Sequence, residues 1–425
     1  MPLFVRVFTC ALLLFVVQWQ ANAEPLSLDH AVEIAVVNNP NLSAIQARAD
    51  ALAQLPSQME ALPDPRLSIN LMNLPVDSFS LTQEGMTQFQ ISFTQALPYP
   101  GKLSLKAKAA TERAEAARFT IEEGTLQLKS SVKHTWWDIF YLDRALDTVE
   151  KNKKLLNQFF ELAETHYKVG KGAQTDVLLA QLEVVKLTNK KIALNRQKSN
   201  ANVRLNNLLN RAVETPVIIS SQVDEKLMKL KSREELVIMA KKQSPALIAK
   251  QRMVESSNSA VSLARKNRMP DFMTGISYGV RAGENMDGSS RAHLASLMFS
   301  MNLPLYSEKK QEPHVDQRNA EWMQQKYELQ DKNNLTMLQV ENAVINYKAA
   351  SSQAKLFKEL IIPQANQTVE AMMVGYQVGN NDFLTLLNSQ TMLYNYQTQY
   401  WKVLSVANQA LADLIAAVGE ESIYE

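Results

Sequence analysis

Five histidines, at 30, 134, 166, 293 and 314, are the side chains best suited to hold a metal or move a proton. A metal site needs several such ligands at short fixed spacings, as when two histidines share one helix face. These five are scattered, and none forms a spaced cluster with acids. His134 and His166 read as packing or surface residues. The paired Met372 and Met373 carry soft sulfur donors, but with no Cys or His beside them they read as packing. The single cysteine, Cys10, lies in the N-terminal apolar run. The chain beyond it has no thiol for a disulfide, a thiolate metal site or a nucleophile. There is no glycine-rich phosphate loop and no nucleophile elbow. Lys+Arg 45 against Asp+Glu 43 leaves no basic excess for nucleic acid. The pattern holds no catalytic constellation and does not describe an enzyme; no cofactor site is expected.

A repeat offers more. Tyr167-Lys168-Val169-Gly170 returns as Tyr376-Gln377-Val378-Gly379, 209 residues later. Each turn is followed by an acid and a Leu-Leu helix start: Asp176 in the first case, Asp382 in the second. Ala35, Pro40 and Leu42 match Ala240, Pro245 and Leu247 at an offset of 205. Phe93, Leu97 and Pro98 match Phe299, Leu303 and Pro304 at 206, and Pro63-Asp64 matches Pro270-Asp271 at 207. The chain is a duplication of one large unit, too long to be a solenoid repeat. Pseudo-symmetric halves suit a ring or a tube.

The elements that position these turns are long. From Lys102 to Val169 there are 68 residues with no proline and one glycine, Gly124. Such a helix would be roughly 100 Å long. Leu142, Leu146, Val149, Leu156, Phe160, Ala163 and Tyr167 form a coiled-coil seam with one step missed at Lys153. Leu178, Leu182, Val185 and Ile192 continue the rhythm after the turn, and Leu404, Ala407, Leu411, Leu414 and Val418 repeat it later. Gly170 and Gly379 read as helix ends, where glycine takes the left-handed conformation without steric penalty. Upstream, Leu28 to Asn38 and Leu42 to Leu62 read as two shorter helices. Trp136, Trp137 and Trp401 read as apolar anchors in the seams.

Four segments alternate with period two. Phe89, Ile91 and Phe93 oppose Gln88, Gln90, Ser92 and Thr94. Strands are expected at about 66–74, 87–97, 271–280 and 294–303, each near the length of a tilted transmembrane strand. Four strands cannot close a barrel, and an edge cannot stay unpaired in lipid. Several copies must then share one barrel; three would contribute 12 strands. A half-buried soluble sheet would also alternate. The domain reading is a signal peptide at 1–23 (Arg6, an apolar run from Val7 to Val17, and Ala21-Asn22-Ala23), a first repeat at 24–210 and a connector at 211–232. A second repeat at 233–419 and a tail at 420–425 complete it.

In this order and doubled, these features resemble the TolC-like outer-membrane efflux family, over almost the whole mature chain. The turn motifs carry the likeness together with Ser92-Phe93-Thr94-Gln95-Ala96-Leu97-Pro98-Tyr99-Pro100-Gly101-Lys102, which looks like the family's strand-to-helix passage. The fold class implied is mainly α with a small β part: long antiparallel coiled-coil helices and four transmembrane strands per chain. The resemblance implies a homotrimer, with a 12-stranded barrel in the outer-membrane lipid on a helical tunnel crossing the periplasm. Gly170 and Gly379 would form the periplasmic mouth. A periplasmic adaptor protein would dock there, and an inner-membrane pump, of the resistance-nodulation-division type, would supply the energy. Tyr167, Tyr376 and Asp176 match tip positions that help hold the mouth closed. Well-studied members carry two aspartates early in the final helix; the positions here are Thr385 and Asn388. Asp382, one turn earlier, is placed to form an acidic ring instead, and equally to cap the helix that starts at Phe383. The Pro98–Lys102 stretch, with Met72-Asn73-Leu74-Pro75 before it, looks closest to the heavy-metal cation branch, the CzcC-like ducts. A drug-export or type I secretion duct of the same fold, and a non-transporting exported coiled-coil protein, stay open as alternatives.

Overall fold

The computed structural model describes residues 25–220 and 223–425, so the expected signal peptide at 1–23 lies outside the described residues. Helix α1 (Leu28–Asn38) begins where Ser27 accepts the His30 N–H. Asn39 ends α1 and caps α2 (Pro40–Ala53), its side chain accepting from the Asn41 and Leu42 N–H groups. The single helix expected from Leu42 to Leu62 is broken. The chain turns at Gln54 and restarts as α3 (Leu55–Glu60), because Pro56 has no N–H for the carbonyl four residues back.

Strands β1 (Arg66–Met72), β2 (Gln88–Leu97), β3 (Phe272–Val280) and β4 (Leu294–Met301) form one antiparallel sheet in the order β1-β2-β3-β4. The two edge strands are shorter than expected. β1 stops at Asn73, which takes a left-handed φ of 53° and whose carbonyl accepts the Thr87 hydroxyl at 2.7 Å. β4 stops at Met301, as the chain turns off toward Pro304. Phe89, Ile91, Phe93, Ile276, Leu297 and Phe299 are exposed, and among the described residues no helix packs on the sheet. On the other face Gln90 donates to the Ser277 hydroxyl at 3.0 Å. Met298 joins that face and breaks the small-or-polar pattern. It lies opposite Gly275, where an added Cβ would come within 3.2 Å of its Cε, so the glycine leaves the room the methionine occupies. No helix among the described residues is long and apolar enough to cross a membrane.

Helix α4 (Lys102–Lys168) runs 67 residues from the sheet to the first turn, and α5 (Gln174–Leu208) returns. Gly124 lets α2 approach, since a Cβ there would sit 3.1 Å from Ile45 Cδ1. Helices α6 (Arg233–Gln243) and α7 (Pro245–Lys266) lead into β3, and α8 (Gln311–Leu356) leaves β4. A wider turn at Phe357–Ile361 joins α8 to α9 (Ile362–Gln377), and α10 (Phe383–Val418) returns from the second turn. Pro363 cannot bond the carbonyl of Glu359, and the wide turn absorbs that loss.

The seam of α4 differs from the expected one. Beside buried Thr148, the buried positions Leu142, Ala145, Val149, Asn152, Leu156, Phe159 and Ala163 run in an unbroken alternation of three and four residues. No step is missed; Asn152 takes it. Phe159 replaces Phe160, and Tyr167 is 47 % exposed. On α5 the difference is larger. Leu178, Leu182, Val185 and Ile192 are exposed by 56, 49, 64 and 65 %, while Ala180, Leu187 and Leu194 are buried. The chain alone fills one stripe of α5 and leaves the more apolar one bare. On α10, Leu404, Ala407, Leu414 and Val418 are buried and Leu411 lies at the margin.

The Trp136 indole N–H donates to the Leu26 carbonyl at 3.1 Å, and Trp136 stacks on Phe140. The Arg144 guanidinium lies over both Phe140 and Trp401. The connector is stitched at both ends: Ile219 bridges Leu26 in parallel, and Leu230 bridges Tyr424 antiparallel.

Candidate functional site: two turns at one end, an open sheet at the other

The two Tyr-x-Val-Gly turns fold alike. Lys171 N donates to the His166 carbonyl at 2.8 Å, and Asn380 N donates to the Gly375 carbonyl at 2.8 Å. Gly170 and Gly379 take φ of 75° and 79°. This is the helix-ending arrangement in which a left-handed glycine satisfies carbonyls the helix leaves free. Each turn returns the chain antiparallel.

The turns lie side by side. His166, Gly170, Asp176, Tyr376, Gly379 and Asp382 line one open groove of about 490 Å³. Tyr376 is buried, stacked on His166 with ring centroids 5.2 Å apart and packed on Phe383 at 5.3 Å. Its hydroxyl has no hydrogen-bond partner among the described residues. Burial, and then the Asp176 charge, raise the Tyr376 phenol above its ordinary value. Tyr167, its repeat counterpart, points away from the core. Asp382 accepts from the Thr385 N–H at 2.7 Å and from the Thr385 hydroxyl at 2.8 Å, so it caps α10. Those two bonds, backbone first, hold its carboxyl below the ordinary range. Asp382, Thr385 and Asn388 are all exposed, three residues apart along one stripe of α10.

Sequence reasoning missed two polar contacts. Gln390 donates to the Asn152 side-chain carbonyl at 2.6 Å inside the α4–α10 seam, and both residues are buried. The gap left at Lys153 was the available signal. His134 meets Asp413 at 2.8 Å, with Ser130 donating to the same carboxylate; nothing in the spacing of the sequence marks that pair.

At the sheet end, β2 passes into α4 through a clasp. The Lys102 ammonium is buried, donating to Asp271 at 2.8 Å and to the Met269 carbonyl at 2.9 Å. Asp271 also accepts the Tyr99 N–H at 2.8 Å. Burial pulls the Asp271 carboxyl up, but Lys102 and the Tyr99 N–H outweigh it and leave it below its ordinary value. No cluster of His, Cys, Asp and Glu able to hold a metal ion occurs among the described residues.

Two long helical hairpins and one antiparallel sheet on which no helix packs make up the fold among the described residues. The outer membrane efflux protein model matches the chain twice, over residues 31–211 and 236–420. The chain belongs to the outer membrane efflux protein family. It is similar to the cobalt-zinc-cadmium resistance protein CzcC of Cupriavidus metallidurans, 21 % identical over 399 residues, covering 93 % of this chain and 91 % of that protein. The fold is similar to the channel CusC, with a TM-score of 0.78 at 14 % identity over 92 % of each chain. It is similar to the outer-membrane channel OprN, with a TM-score of 0.77 at 16 % identity over 92 % of this chain and 89 % of that one. VceC of Vibrio cholerae gives 0.75 at 18 % identity, over 92 % of this chain and 96 % of that one. The fold is therefore the TolC-like one, and the protein is an outer-membrane efflux channel component.

Proposed function

We propose that three copies of this chain close a barrel in the outer membrane and a helical tunnel beneath it, forming a passive exit duct for metal cations. One observation carries the reading. One face of the sheet is an exposed apolar surface, and the sheet ends in two open edges, β1 and β4, which lipid does not tolerate unless another copy pairs with them. The bare stripe of Leu178, Leu182, Val185 and Ile192 supports it, since a tunnel needs an apolar seam between copies. The Gly170 and Gly379 turns form the periplasmic mouth, and Tyr167, Asp176, Tyr376, Asp382, Thr385 and Asn388 shape it. A periplasmic adaptor docks there, and an inner-membrane pump of the resistance-nodulation-division type drives transport. The chain supplies walls and a gate, and no catalysis. Likeness to CzcC along nearly its full length supports metal cations as the cargo.

The test is a deletion strain complemented with the gene, scored for tolerance to cobalt, zinc and cadmium. Native mass spectrometry and planar-bilayer recording of detergent-purified protein accompany it. Three copies, ion conduction and restored metal tolerance are expected. A water-soluble single chain without conductance would overturn the duct. Restored drug tolerance with unchanged metal tolerance would overturn the cargo alone.

A further inference from the structure

The Lys102–Asp271 clasp joins the end of the second strand of one repeat to the start of the first strand of the other. The chain is a duplication, so the same joint should occur once more, with the repeats exchanged. Within one chain it does not: the second partner set lies on the two open edges of the sheet.

The strand registers test this symmetry directly. Ile69 pairs with Ile91 between β1 and β2, and Ile276 pairs with Leu297 between β3 and β4. Residue by residue, the shift is 207 on one strand and 206 on the other, the offsets already present in the sequence. The same shift applied to the observed pair Phe93–Ile276 gives Phe299 opposite Ile69, between β4 of one copy and β1 of the next. These two residues are 67 % and 63 % exposed on the same apolar face of the sheet, so the inferred pairing keeps the faces matched. A slip of one residue would not. The same shift carries Leu97–Phe272 to Leu303 opposite Pro65.

Asp64 precedes Pro65 as Asp271 precedes Phe272. Lys102 lies four residues past Pro98; the position four past Pro304 is Glu308, and Lys309 and Lys310 follow it directly. Asp64, Lys309 and Lys310 are exposed and take part in no ion pair among the described residues. The neighbouring strand ends keep an analogous tie in both repeats. Asn302 accepts the Asp271 N–H, and Gln95 donates to the Pro63 carbonyl at 2.7 Å.

We propose that Asp64 of one copy pairs with the Lys309–Lys310 pair of the next, clasping the base of the shared barrel between copies as Lys102 and Asp271 clasp it within each copy. This rests on the reading that copies share one barrel. The occupant of each open edge is thus a second copy of this chain, in a stated register.

The test uses the full chain in a Cys10→Ser background, which removes the only thiol in the sequence. Asp64→Cys is combined with Lys309→Cys, and separately with Lys310→Cys, and treated with a short bismaleimide in outer membranes. A ladder of two and three linked chains on a denaturing gel, from at least one combination and from neither single variant, is expected. A second measurement guards against loss of folding. Asp64→Lys should lower the temperature at which the detergent-purified trimer dissociates, and adding Lys309→Asp with Lys310→Asp should restore it. If native mass spectrometry shows three copies but no ladder forms and charge reversal has no effect, the clasp is wrong and the shared barrel stands. If the unaltered protein is a single chain, the shared barrel falls and takes the clasp with it.

Discussion

Gln390 on α10 donates its amide to the side-chain carbonyl of Asn152 on α4 at 2.6 Å, inside a seam made mostly of Leu, Ala, Val, Phe and Tyr. A polar pair in such a seam fixes register, because any axial slip would bury both groups unpaired. Replacing Gln390 alone by Leu leaves Asn152 unsatisfied and should cost about 1–3 kcal/mol. Replacing both by Leu should cost much less and loosen the register. A double-mutant cycle on thermal unfolding checks this; equal costs for the single and double variants would refute it.

Gly170 and Gly379 should resist replacement for a backbone reason alone. An added Cβ at either would meet nothing within 4 Å, yet both φ values are positive. Gly→Ala at each should cost about 1–2 kcal/mol, the penalty of the left-handed conformation, and Gly→Val more. Gly→Asn should be the mildest change. Thermal midpoints of the purified protein order the series; a Val variant as stable as Asn would place the strain elsewhere.

Asp382 links the cap of α10 to pH. Its folded-state carboxyl titrates below the ordinary value because the charged form accepts from Thr385. Its stabilising effect is therefore complete above the unfolded value and lost as pH falls through the lower folded one. Hydrogen-exchange protection in the first turn of α10 should begin to fall as pH drops below about 5 and go on falling through and below the ordinary Asp value of about 3.9. Asp382→Asn should keep the cap and abolish that dependence. An unchanged pH profile in the Asn variant would assign the effect to another group.

Lys102→Met removes the cation from a clasp whose acid is about half exposed. The cost should be about 1–3 kcal/mol, below that of a fully buried pair, because water screens Asp271. The loss should shrink at low pH, where Asp271 is protonated in both proteins. Thermal scans at two pH values check this; a cost independent of pH would mean that Lys102 acts through its bond to the Met269 carbonyl.

Much of the fold was legible because its signals are local. Proline and glycine spacing marked the long helices, and the paired turns marked themselves by glycine followed by a helix start. Phe89, Ile91 and Phe93 showed β2 through alternation. The seams were less legible. Helical periodicity allows neighbouring stripes, and only packing chose Phe159 over Phe160 and Leu187 over Leu182. The break at Pro56 was readable from a missing donor, although Leu42 to Leu62 was expected as one helix. The groove at the turns joins residues 210 positions apart, His166 and Tyr376, and no local pattern specifies that stacking.

Repeat and periodicity determined by themselves that this is a duplicated, mainly helical protein with four alternating strands, because helix and strand patterns depend on neighbours a few residues apart and the repeat shows by matching one half of the chain to the other. Tertiary structure alone decided which stripe of each helix is buried, that Asn152 finds Gln390, that Lys102 finds Asp271, and that the sheet ends in two open edges. Those outcomes depend on how distant segments compete for the same contacts, and that competition is settled only when the whole chain packs.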